Sequence, residues 1–126
     1  MKIINDNDII ITYLFEDENC DPIDLSVFSG ITAKVFQKGY EIAKFSLNAQ
    51  SGFGGIDLSS PTTDGLITFY LNAEDLRQAF DTIEVFFEIK TVQTDTNFNN
   101  STKEESTGDI FLGKLIKTQL TNITFN

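Results

Sequence analysis

"TIEVFFEIKTVQ", residues 82–93, is the stretch whose reading decides the fold class. Ile83, Val85, Phe87 and Ile89 alternate with Glu84, Phe86, Glu88 and Lys90. Successive side chains of a strand point to opposite sides, so a period of two over this length, rich in β-branched and aromatic residues, is a strand and not a helix. One side is built for a core and the other for water. Phe86 interrupts the polar side and predicts a second contact there.

Working outward, the same period recurs. Ile9, Ile11, Tyr13 and Phe15 alternate with Ile10, Thr12 and Leu14, and a strand apolar on both faces reads as a central one. Ile31, Ala33 and Val35 alternate with Thr32, Lys34 and Phe36; "QKGY" (37–40) is a hairpin turn in which Gly39 can take positive φ, and "EIAKFSL" returns. Residues 48–65, with four glycines and a proline, form a long connection holding one short strand at "GIDL". "LITFYL" (66–71) is a strand. In "NAEDLRQAF" (72–80) the period changes: Asn72 can cap, Glu74 and Asp75 occupy the first turn, and Leu76 and Phe80 are spaced i,i+4, which predicts a short helical turn. Residues 94–108 have one apolar residue in fifteen and read as a mobile hairpin loop. "DIFLGKLIKTQL" (109–120) is the final strand, with Gly113 marking a bulge or close packing.

The expectation is a single all-β domain over residues 1–126, an antiparallel, immunoglobulin-like β-sandwich of about seven strands with one short helical turn. With 40% hydrophobic residues and 12 Phe, the chain can build a real core. Its longest apolar runs are three residues, against the roughly 20 needed to span a membrane. The first residues carry acids where a signal peptide has its apolar segment. The single Cys20 rules out an internal disulfide and fits a reducing cytoplasm.

Charge narrows the choice of partner. Nineteen acids against nine Lys and Arg leave a net charge of −10, which repels nucleic acid and an anionic membrane surface but accepts a basic protein surface. No His is present, hence no imidazole base or metal ligand. "SGFGG" (51–55) lacks the lysine and helix of a phosphate loop.

The most suggestive chemistry is "FEDENCDPIDLS" (15–26), where Glu16, Asp17, Glu18, Asp21 and Asp24 crowd together. Counted as a calcium loop from Asp17, the sixth position is Pro22 and the twelfth Phe28, where glycine and a bidentate Glu are required. Asp and Asn favour turns through side chain to backbone bonds and Pro22 fixes φ, so the stretch reads as a turn; a looser calcium site at Asp17, Asn19, Asp21 and Asp24 is the alternative. Cys20 has acids around it and no nearby cation or base, which argues against a nucleophile. Acid pairs such as Asp57 with Asp64, or Glu84 with Glu88, arise by chance among so many carboxylates, and the Asn99, Asn100 and Asn122 sequons carry no weight without a secretory route. The reading is of a protein that is not an enzyme and uses no cofactor or metal.

The order of the pieces resembles a module of tailed-bacteriophage virion proteins, the N-terminal domain of baseplate upper proteins and related Ig-like fibre and capsid-associated proteins. The resemblance rests on "NDIIITYLFEDENCDPIDLS", "ITAKVFQKGYEIAKFSL", "DGLITFYLNAEDLRQAF", "TIEVFFEIKTVQ" and "DIFLGKLIKTQLTNIT", and covers roughly residues 5–124. Where the pattern has glycine two places before its proline, this chain has Cys20; an arginine-bearing strand is lysine-bearing here, and the hairpin at 94–108 is longer. The resemblance implies a non-catalytic structural subunit made in the host cytoplasm and incorporated in the virion as a capsid-associated, neck or tail and baseplate adaptor. Its partners would be other virion proteins and further copies of itself in a ring or array, without nucleic acid or membrane.

Unpaired sheet edges are where such a subunit would add a strand to a neighbour. The termini "MKIIN" and "LTNITFN" are the expected edges, so Ile3, Ile4, Ile123 and Phe125 are candidate interface residues, joined by the loop aromatics Phe53 and Phe98; Tyr40 is a further exposed aromatic. The competing readings are a carbohydrate-binding module, which needs a row of exposed aromatics on one face, and an Ig-like adhesion module.

Overall fold

The computed structural model describes residues 2–4, 8–48, 51–95 and 101–116. Within them the chain forms β1 (Lys2–Ile4), β2 (Ile9–Leu14), β3 (Gly30–Gln37), β4 (Tyr40–Ser46), β5 (Gly54–Gly55), β6 (Asp57–Leu58), β7 (Leu66–Leu71), helix α1 (Ala73–Arg77), β8 (Glu84–Asp95), β9 (Ser101–Ser106) and β10 (Ile110–Ile116). About seven strands are expected from the sequence; the described residues contain ten, of which β1, β5 and β6 have two or three residues each.

Two sheets form from these strands. The larger has the order β1-β10-β8-β3-β4-β5, with β9 also on β8, and the smaller the order β2-β7-β6. Most pairs are antiparallel, while β1 runs parallel to β10 and β5 parallel to β4. The inner faces meet in one core. Val35, Val85, Phe87, Ile89 and Leu115 from the larger sheet lie against Ile11, Ile67, Phe69 and Leu71 from the smaller. Phe69 joins them, its ring 4.8 Å from that of Phe45 and 6.1 Å from that of Phe87. The alternation in residues 82–93 therefore selects the core side as expected for Val85, Phe87 and Ile89, while Ile83 lies before the strand and is exposed.

One buried polar side chain fixes the connection between α1 and β8. Gln37, at the end of β3, donates through Nε2 to the Phe80 carbonyl at 2.7 Å and accepts at Oε1 from the Phe80 N–H at 2.8 Å. These bonds satisfy groups that would otherwise be costly to bury. At the start of α1 the expected cap, Asn72, makes no side-chain capping bond. Asp8 does this instead: its carboxylate accepts from the Ala73 N–H at 2.7 Å, across 65 positions of sequence. A cap supplied from another part of the chain leaves no local signature.

Three expectations are corrected. The strand at 9–15 is not central: among the described residues β2 ends the smaller sheet, and it is apolar on both sides although its outer side chains, Ile10 (66% exposed) and Leu14 (39%), are exposed. The polar stretch 94–108 is not a loop over most of its length. β8 continues to Asp95 and β9 pairs with it from Lys90↔Ser106 to Asp95↔Ser101. Backbone pairing needs no apolar face, and all six residues of β9 are exposed. Beyond Val92, the last β8 residue paired with β3, the two strands form a ribbon of their own. Lastly, Ile3 is not an exposed contact residue: it is 1% exposed, paired with Leu115, and belongs to the core. Among the described residues β1 is an edge strand as expected, but its apolar side chain at Ile3 is spent inside. Of the bulge or close packing expected at Gly113, the bulge is present, as a register shift between Phe111 and Gly113.

Candidate interaction surface

Register places an aromatic row across the outer face of the larger sheet. Phe36 on β3 is directly opposite Phe86 on β8, which is directly opposite Phe111 on β10. The Phe36 and Phe86 rings stack at 5.9 Å with an interplanar angle of 27°, and Phe86 meets Phe111 edge-on at 5.7 Å and 62°. Aromatic cross-strand pairs stabilise a sheet by roughly 0.2–1 kcal/mol each, so part of the row is structural. Yet Phe111 at its end is 53% exposed, and Ile83, which lines a shallow pocket with Phe86, is also exposed. Phe86, which breaks the polar alternation in the sequence, is the middle of this row.

A charged row lies one pleat away. Lys34 and Lys44 are direct cross-strand partners, an arrangement of like charges that repels. Each finds another partner: Lys34 reaches Glu88 at 3.5 Å and lies over the Phe36 ring at 4.9 Å, and Lys44 lies over the Phe53 ring at 4.8 Å. Glu88 also accepts a hydrogen bond from Ser106 Oγ at 2.7 Å. That bond, then the charges of Lys34 and Lys90, hold its carboxyl below the ordinary value of 4.5. Together with Thr32, Glu41 and Lys90 these side chains line a shallow groove over β3 and β4.

Of the candidate contact residues, Phe53 is brought to this groove and is half-buried by Lys44. Tyr40 is also half-buried and meets Phe80 edge-on at 5.4 Å. Ile3 is removed to the core. The Ile4 backbone pairs with Ile116, and its side chain lies outside the described residues, as do Phe98, Ile123 and Phe125. Sequence reading missed Phe36 and Phe111. Each is a single phenylalanine on an otherwise unremarkable face, and only the strand register shows that they flank Phe86.

The acidic stretch 15–26 folds as a turn. Asp17 Oδ1 accepts from the N–H groups of Asn19 (2.8 Å) and Asp21 (3.0 Å), and the Asp17 N–H donates to the Asp21 carbonyl at 2.9 Å. Cys20, in the middle, has φ of 63°, a left-handed conformation that glycine adopts more readily. Asp24 caps the 3-10 turn at Leu25–Val27 and accepts from Thr62 Oγ1 at 2.9 Å. Its pKa is lowered by bonds from the Ser26 N–H and hydroxyl, then from Thr62. Among the described residues no three His, Cys, Asp or Glu side chains are grouped as a metal site.

Compared with family models, with curated proteins and with solved structures, the chain matches none.

Proposed function

We propose that this chain is a non-catalytic structural subunit of a tailed-bacteriophage virion, an Ig-like sandwich that works by protein–protein contact through the outer face of its larger sheet. The observation that carries the reading is the row Phe36–Phe86–Phe111. Aromatic side chains are enriched in the desolvated centres of protein interfaces, and a contiguous row beside complementary charges is a recognisable contact patch. Phe86 and Phe111 supply apolar area, while Lys34, Glu88 and Lys90 supply a polar rim.

The strand order supports the Ig-like part. Read along the chain, β2, β7 and β6 correspond to B, E and D of a variable-type immunoglobulin domain. Strands β3, β8 and β10 correspond to C, F and G, and β4 and β5 to C′ and C″. The resemblance of the sequence pieces to phage Ig-like modules supports the virion part, with other virion proteins or further copies of this chain as the partners. Quantitative mass spectrometry of purified particles of the phage that encodes the chain tests it. The reading requires the chain in intact particles at a fixed ratio to the major structural protein. A chain abundant in infected-cell lysate but missing from particles overturns the reading.

The aromatic row bears on carbohydrate binding as a second reading, since sugar-binding faces use aromatic platforms. The geometry favours protein contact: with Phe111 turned 62° from Phe86, the three rings do not make a coplanar shelf.

A further inference from the structure

We infer that the open edge of β2 is a strand-acceptor site for an extended segment of another protein, about as long as β2, apolar or β-branched at its centre and carrying Lys or Arg at both ends. The inference rests on the smaller sheet and does not depend on the virion reading.

Among the described residues β2 pairs on one side only. The register Leu14↔Leu66 sets Phe15 opposite Gly65, and the Phe15 N–H donates to the Gly65 carbonyl at 2.8 Å. In an antiparallel ladder alternate residues bond to the same neighbour. Ile9, Ile11 and Tyr13 therefore face β7 with their backbone groups, and the N–H and C=O of Ile10, Thr12 and Leu14 point away from it. Among the described residues nothing pairs with that edge.

Proteins blunt such edges with charge, proline, bulges, short length or a covering segment. The other edges here are treated in these ways. β1 has three residues, β6 has two, β9 carries Lys103, Glu104 and Glu105, and β4 has a register shift against β3 and is partly covered by β5. β2 has none of these: its six residues, "IIITYL", contain no charge and no proline, and its register with β7 is unbroken. Ile10 and Leu14 would flank an added strand on the outer side, and Ile9 and Tyr13 at the sandwich margin would flank it on the inner.

Charge selects the occupant. Asp8 precedes β2, and Glu16, Asp17 and Glu18 follow it, all exposed. None of the nine basic residues lies in β2, β6 or β7. A second copy is disfavoured, because two antiparallel β2 edges would bring acidic ends together in a chain of net charge −10. A strand with basic ends turns the same rim into attraction.

The test uses the full chain and synthetic peptides of one alternating Val–Thr centre, flanked at both ends by lysines or by glutamates. Fluorescence anisotropy gives affinity, and amide hydrogen exchange by NMR gives location. The lysine-flanked peptide is expected to bind at least about tenfold tighter than the glutamate-flanked one, a preference that shrinks with salt. It should also slow exchange at Ile10, Thr12 and Leu14. Ile10→Lys, at an exposed position that cannot disturb the core, should abolish binding, as should Thr12→Pro, which removes an outward N–H. Equal affinity for the two peptides overturns the proposal, as does protection on the larger sheet instead. So does slow exchange at these three amides in the free protein, since the edge would then already be occupied.

Discussion

The two sheets share one core and have opposite exteriors. The outer face of the larger sheet carries an aromatic row beside paired charges; its strands hold six lysines against six acids. The outer face of the smaller sheet pairs Ile10 with Tyr70, Thr12 with Thr68 and Leu14 with Leu66, and its strands hold no basic residue. Its polarity comes from hydroxyls and one carboxylate: Thr12 and Thr68 lie 3.3 Å apart, and Tyr70 is held neutral to higher pH by its hydrogen bond to Asp57 and by that carboxylate's charge. A face balanced in charge and rich in aromatics suits lateral contact with a protein surface. A face without a basic residue, ending in an edge that no described residue pairs with, suits backbone pairing. The two proposals thus put two modes of association on opposite sides of one fold.

The largest expected effect concerns what the sheets share. Phe87→Ala on the larger sheet and Phe69→Ala on the smaller each remove a ring from the common core. Each should cost about 3–5 kcal/mol in denaturant unfolding, enough to unfold many isolated domains. A cost on one sheet only would break the picture of a single core. Next comes the aromatic row. A double-mutant cycle between Phe36 and Phe86 should yield a coupling of about 0.5–1.5 kcal/mol, against a few tenths for Thr12 with Thr68, because ring stacking couples more strongly than two exposed hydroxyls. Equal couplings would remove the energetic difference between the two exteriors.

How much of this was legible in residues alone varies with the kind of signal. The alternation at 82–93 yields the strand and its core side, since both follow from a local period. The hairpin at Gly39 is equally local: Gly39 takes φ of 84° between β3 and β4. The place of β2 is not legible, because apolarity on both faces has two causes, central burial and an exposed outer face, which a sequence does not separate. The β9 strand was hidden because a polar ribbon held by backbone bonds has no hydrophobic period. The aromatic row was visible only as the anomaly at Phe86, since its other members come from strands about fifty and twenty-five positions away in "AKVFQ" and "DIFLG". Ile3 reads as part of a free terminus because its partner, Leu115, is more than a hundred positions away in sequence.

Smaller effects sharpen the comparison at the turns and charges. Cys20→Gly, at the left-handed position beside the smaller sheet, should stabilise by about 1 kcal/mol in a thermal or urea melt, since a side chain there is strained. A destabilised variant would contradict the turn geometry. On the larger sheet, Glu88 has a lowered pKa, so its contribution to stability is present above the ordinary value of 4.5 and is lost as the pH falls through the folded-state value below it. Glu88→Gln should flatten that acid limb slightly by lowering stability a little near pH 7 while leaving it unchanged in acid; an unaltered pH profile would show that its bonds to Ser106 and Lys34 contribute nothing.

The central claim is that assembly runs through the aromatic row, and Phe111 tests it most directly because its ring is half exposed and its loss spares the core. Wild-type and Phe111→Glu chains would be co-expressed in equal amounts during particle assembly, and their ratio in purified particles read by mass spectrometry, with thermal melts of both as the folding control. The account predicts matching melts and particles almost devoid of the variant. An equal ratio in the particles, with both chains folded, would contradict it.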